Sequence, residues 1–133
     1  MPPAPRSTLA PWLSVRGSAR AVEFYKSAFS ATETYRLHDG SENVVARLSI
    51  GDSEFWIGDE SPDHHNFSPE SLSGSTTRMI LTVDDPDAVF AQACAAGARL
   101  VRPISEEYGW RVGRVVDPFG HHWEIGRELH PGA

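Results

Sequence analysis

Cysteine is nearly absent, with Cys94 alone among 133 residues. One thiol excludes an internal disulfide and any zinc site built from several thiolates. Long apolar runs are missing as well. Nowhere do 18 apolar residues follow one another, so no stretch reads as a bilayer-spanning helix. Positive charge is scarce, 12 Lys and Arg against 18 Asp and Glu, for a formal net charge of −6. That balance repels phosphate backbones and anionic lipids, so neither nucleic acid nor a membrane is expected as a partner. The opening Met1-Pro2-Pro3-Ala4-Pro5-Arg6 leads into no apolar run. No signal peptide is expected, and the location reads as cytoplasmic. No Gly-rich phosphate loop, Ser–His–Asp set or paired acid–base carboxylates stand out.

What is present is ordinary globular chemistry, 40% hydrophobic and 10% aromatic, which excludes disorder as the main state and suits one compact domain. Two segments read as helices. Ala21, Val22, Tyr25, Ala28 and Phe29 recur at the 3–4 spacing of one buried face between Ser18 and Ser30, with Ser18 as the expected N-cap. The second helix starts at Asp85-Pro86, carries Val89, Phe90, Ala93 and Ala96, and stops at Gly97. Tight turns are expected at Asp39-Gly40, Gly51-Asp52 and Asp117-Pro118-Phe119-Gly120. The order of strand, helix and three strands occurs twice. At an offset of 68 residues Val15 falls on Val83, Ile57 on Ile125 and Gly58 on Gly126, as an internal duplication requires. The boundaries are residues 8–60 for the first module, 61–75 for a polar, flexible linker and 76–129 for the second. Together they form one compact domain.

Alternation along the strands separates two faces. One parity gives Leu13, Val15, Phe55, Ile57, Met79, Leu81, Val83, Trp123 and Ile125, all apolar and expected to meet the helices. The other gives Ala10, Trp12, Ser14, Glu54, Trp56, Gly58, Arg78, Ile80, Thr82, His122, Glu124 and Gly126. Large aromatics mixed with charges describe a concave pocket for a small organic molecule better than a plain solvated surface.

The chain resembles the vicinal oxygen chelate superfamily, which includes glyoxalase I, ring-cleaving dioxygenases, fosfomycin-modifying enzymes and bleomycin-binding resistance proteins. The likeness runs from Ala10 to Glu128 and rests on Glu23-Phe24-Tyr25 with Ala28-Phe29, on Ile50-Gly51-Asp52-Ser53, and on Asp117-Pro118-Phe119-Gly120-His121 leading to Trp123-Glu124. It is closest to the PhnB-like and bleomycin-resistance-type branches. The resemblance implies an α+β fold of two tandem βαβββ modules, a cupped mixed sheet with helices on its convex face, and a homodimer. Its metal enzymes carry one ligand on each of four strands. The matching positions here are Ala10, Trp56, Arg78 and Glu124, of which only Glu124 can bind a metal. No metal or other cofactor is therefore expected, and Arg78 and Glu124 are expected to form an ion pair.

Trp12 and Trp56 read as stacking walls for a planar ligand, with Tyr108 and Trp110 as further aromatic contacts. Arg78, Ile80, His122 and Glu124 complete the expected binding set, and no residue is assigned as catalytic. Trp123 reads as core, Arg111 and Arg114 as surface charges, and Cys94 as a small buried or half-buried thiol. The functional expectation is a metal-independent binding protein that sequesters an aromatic or cationic, antibiotic-like ligand. One alternative is a lyase, isomerase or dioxygenase with a rearranged metal site or His122–Glu124 acid–base chemistry. Another is a protein-interaction module with a vestigial pocket.

Overall fold

The structure is a computed structural model and describes residues 6–38 and 40–130. Met1 to Pro5 and Asp39, which carry the expected amino-terminal reading and half of one expected turn, lie outside the described residues. The order is β1 (Trp12–Val15), α1 (Ser18–Phe29), β2 (Thr32–His38), β3 (Val44–Ile50), β4 (Ser53–Asp59), α2 (Pro69–Leu72), β5 (Arg78–Thr82), α3 (Pro86–Ala96), β6 (Arg99–Glu107), β7 (Trp110–Val116) and β8 (His122–Glu128). The strands form two four-stranded sheets, ordered β1-β4-β3-β2 and β5-β8-β7-β6. In each, the first strand runs parallel to the last and the remaining pairs are antiparallel. The α+β class and the repeated βαβββ order are as the sequence predicts.

Both helices obey their apolar spacing, but they begin differently. Asp85 caps α3 as expected, its side chain accepting from the Ala88 N–H at 3.1 Å. At α1 the N-cap is Gly17, not Ser18. The carboxylate of Asp59, arriving on β4, accepts from the Gly17 and Ser18 amides at 3.0 and 3.3 Å and so does the work of a cap. That frees the Ser18 hydroxyl, which is fully buried, to donate to Asp59 at 2.5 Å and to accept from Val44 N–H at 2.8 Å.

The apolar parity of the first sheet is buried throughout: Leu13, Val15, Phe55 and Ile57 are at most 5% exposed. Tyr25, Phe29 and Phe55 meet Trp123 with ring centroids 5.5, 4.5 and 5.7 Å apart. Trp123 is core, as expected, and comes from the other module, so the halves share one core. Met79, Leu81 and Val83 are only partly buried against it. β5 and β1 are both sheet edges, but α2 packs against β1.

The segment read as a linker carries a 3₁₀ turn at Pro62–His64 and helix α2. Glu60 anchors it, accepting from Arg16 Nε at 2.9 Å, Ser68 N–H at 2.9 Å and Ser71 Oγ at 2.6 Å.

Charge also braces the first helix. Glu33 on β2 receives Arg36 Nε at 2.7 Å and Lys26 Nζ at 3.0 Å. These donors, Arg36 foremost, hold its carboxyl down from 4.5 to about 2. A carboxyl depressed in the folded state stabilises the fold above its unfolded value, and that contribution fades as pH falls from 4.5 towards 2. After solvent screening it is worth about 1 kcal/mol. In urea melts at pH 7 and pH 3, E33Q is expected to lose this amount at pH 7 and much less at pH 3. Equal losses at both values would refute the assignment.

Candidate functional site

Each sheet turns one face away from the shared core, and cross-strand register lays a row of side chains over it. On the first sheet the register pairs Trp12 with Trp56, Trp56 with Arg47 and Arg47 with Tyr35, which spans all four strands. The indoles of Trp12 and Trp56 lie 15° from parallel with centroids 6.3 Å apart. A ring inserted between them would need roughly 7 Å, two van der Waals contacts. The pair is therefore a platform on which a planar molecule lies, and not a pair of jaws. The Arg47 guanidinium covers Trp56 at 5.3 Å and Tyr35 at 6.0 Å, held by Glu54 at 3.1 Å.

Gly58 makes the platform possible. A Cβ there would stand 2.3 Å from Trp12 Cζ2, so the indole rests directly on glycine backbone. Gly58→Ala is expected to dislodge Trp12 and to cost about 1–2 kcal/mol through overpacking. Near-UV circular dichroism would report the lost coupling between the two indoles. An unchanged spectrum would count against this account.

The second sheet has the same layout with different chemistry. Its register pairs Ile80 with Glu124, Glu124 with Arg114 and Arg114 with Arg102. The ion pair expected between Arg78 and Glu124 forms, Nε to Oε2, at 3.3 Å. Arg114 Nη2 donates to Oε1 at 2.7 Å, and Arg102 approaches to 3.9 Å. The hydrogen bond from Arg114 and the charge of Arg78 hold the Glu124 carboxyl below its ordinary range. Three guanidinium cations around one carboxylate leave a local charge of +2. The charge at this face therefore differs in sign from the net −6 of the whole chain.

Beside Glu124 is a cavity of about 260 Å³ lined by Ile80, Thr82, Trp110, Gly126 and neighbours. Arg78, Ile80, Trp110, His122 and Glu124 thus gather on the second sheet, while Trp12 and Trp56 gather on the first. The cavity lining includes neither of those two indoles. Tyr108 is not brought to either face. It sits with φ 52° at the tip of the β6–β7 hairpin, next to Gly109, and is 98% exposed.

Tyr35, Arg47, Arg102 and Arg114 complete the two rows and were not legible as site residues. Simple alternation fails on β2 and β6, where the register slips beside Tyr35 and on both sides of Arg102. Arg114 departs from its reading as a surface charge because Glu124 lies opposite it across the β7–β8 ladder. Arg111 matches that reading, bound outward to Asp87 at 2.7 Å.

The four positions that hold a metal in related enzymes do not suit one here. Ala10, Trp56 and Arg78 offer no donor, and both oxygens of Glu124 already face guanidinium groups. Among the described residues no three His, Cys, Asp or Glu side chains come together. The same ion pairs bear on acid–base chemistry by His122 and Glu124, since a carboxyl held low is a weak proton acceptor near neutrality.

Comparison with known proteins agrees with this architecture. An uncharacterized protein of Mycobacterium bovis is 37% identical over 126 residues, covering 91% of this chain and 83% of its own length. The crystal structure of TioX from a Micromonospora species superposes with a TM-score of 0.71 at 26% identity, covering 92% of this chain and all of that one. The structure of an Arabidopsis thaliana gene product superposes at 0.68 with 32% identity, over 90% and 95% of the two chains. Residues 9–125 match one sequence family along nearly their whole length, so the chain belongs to the Glyoxalase/Bleomycin resistance protein/Dioxygenase superfamily.

Proposed function

We propose that the protein binds a small aromatic molecule stoichiometrically and without a metal, as a sequestering protein of the antibiotic-resistance type. The observation that carries this reading is the open row of Trp12, Trp56, Arg47 and Tyr35, in which Trp12 and Tyr35 are 46% and 45% exposed. Leaving such rings in water has a hydrophobic cost, and a planar ligand laid across them recovers it with about 1 kcal/mol per ring pair beyond the area term. The aromatic and charged faces both turn away from the core, so a cup needs a second wall. A second copy of the chain, presenting Ile80, Trp110 and Glu124 opposite Trp12 and Trp56, supplies that wall and makes the functional unit a homodimer.

The test is a tryptophan-quenching titration against planar antibiotics and simple bicyclic aromatics, with the wild type and the Gly58→Ala variant side by side. Saturable quenching is expected in the wild type, with affinity about tenfold weaker in the variant whose platform is disturbed. No quenching by any planar compound, or equal affinity in both proteins, would overturn the reading.

A further inference from the structure

We infer that the recess between residues 75–77 and the β7–β8 ladder is an oxyanion site, shaped for a phosphate or carboxylate group. It is a cavity of about 110 Å³ lined by Ser75, Thr76, Thr77, Arg78, Arg114 and His122. The volume equals that of about three to four waters, enough for one phosphate or carboxylate and too small for a bicyclic ring system.

The lining is rich in donors and poor in acceptors. Each guanidinium carries five N–H groups and no acceptor. Glu124 takes one short bond from Arg114 and a longer approach from Arg78, which leaves most of those donors to other partners. Among the described residues, the buried side-chain nitrogens and oxygens that lack a hydrogen-bond partner are Arg114 Nε and His122 Nδ1. Both belong to residues that line this recess. Arg114 Nε can only donate, and an unpartnered buried donor costs about 1–3 kcal/mol, so at this polar recess it points to an acceptor that the chain itself does not provide. An oxygen-rich anion is that acceptor, and the local surplus of positive charge favours it again.

Ser75 shapes the rim. Its hydroxyl donates to the Thr77 carbonyl at 2.9 Å and accepts from the Thr77 amide at 3.4 Å, which closes a tight turn at the cavity mouth. Arg78, 55% exposed, reaches the recess from the solvent side. Arg114 lies deeper and is shared between this recess and the Glu124 pair.

The site does not depend on the aromatic platform, so it can be tested with an anion that has no ring. Inorganic phosphate is titrated at pH 7 and constant ionic strength, made up with chloride, while the Nε–H resonances of Arg78 and Arg114 are followed by two-dimensional NMR. Saturable shifts of both resonances are expected, with binding about tenfold weaker in Arg78→Gln and unchanged in Arg20→Gln on α1, an exposed arginine outside both sheet faces. Arg78→Gln is preferred to an Arg114 variant because Arg78 is largely solvated and its loss leaves Glu124 paired. A parallel titration with benzoate separates the sources. Tighter binding of benzoate assigns the site to the acid head of an organic ligand, and tighter binding of phosphate assigns it to a phosphoryl group or free phosphate. Linear shifts, shifts reproduced by chloride, or equal affinity in Arg78→Gln would overturn the proposal.

Discussion

Replacing Asp117 with alanine is expected to remove about 4 kcal/mol of folding stability. The carboxylate is 2% exposed and accepts four hydrogen bonds. Oδ2 receives the Tyr25 hydroxyl at 2.5 Å and Trp123 Nε1 at 3.0 Å. Oδ1 receives the amides of Phe119 at 2.9 Å and His121 at 3.0 Å. The two amides close the Asp117-Pro118-Phe119-Gly120 turn, and Tyr25 stands on α1 of the other module. One side chain therefore fixes a turn and ties both halves together. Removing it strands four buried donors, each costly to leave unmade. Burial, and then the charge of Asp117, also push the Tyr25 phenol well above its ordinary range, so the hydroxyl stays a donor at any working pH.

Asp117→Asn keeps the shape but turns one acceptor into a donor that faces other donors, and about half the loss is expected. Tyr25→Phe removes one bond and is expected to cost about 1–2 kcal/mol. Urea melts of the three variants check the order. A domain of this size has roughly 5–15 kcal/mol in total, so a loss below 1 kcal/mol for Asp117→Ala would refute the account.

The second large effect is expected at Ser18. As a bridge between Asp59 and the Val44 amide it should lose about 2 kcal/mol on change to alanine, because the buried Val44 amide and the half-buried Asp59 carboxylate each lose a partner. The informative variant is Ser18→Asp. Aspartate is among the best N-cap residues, so a capping serine would accept it with little change. At a fully buried position facing Asp59 it sets two carboxylates against each other, and a loss above about 3 kcal/mol is expected. Urea melts of Ser18→Asp and Ser18→Ala distinguish the roles, and a neutral Ser18→Asp would return Ser18 to the cap.

The misreading of Ser18 shows where local rules end. Helix start signals assume that the cap is supplied by the residue next to the helix, and here Asp59 supplies it from 41 residues away along the chain. Arg114 shows the same limit. Parity puts it on the face opposite Arg111, three positions earlier on the same strand, but does not say which of the two faces meets a carboxylate. Only the register of β7 on β8 sets one against Glu124, while the other reaches Asp87. Tyr35 and Arg102 were hidden by register slips that break the period of two.

By itself the sequence determined the α+β class, the repeated strand–helix–three-strand order and the buried parity of the first sheet. These follow from periodicity and from a duplication offset, which are properties of neighbouring residues and simple repeats. The tertiary structure decided that the expected site is two faces, one aromatic and one rich in guanidinium, and that the second has a local sign opposite to the net charge. Net charge sums over the whole chain, whereas a ligand meets only the few charges that strand register brings within several ångströms.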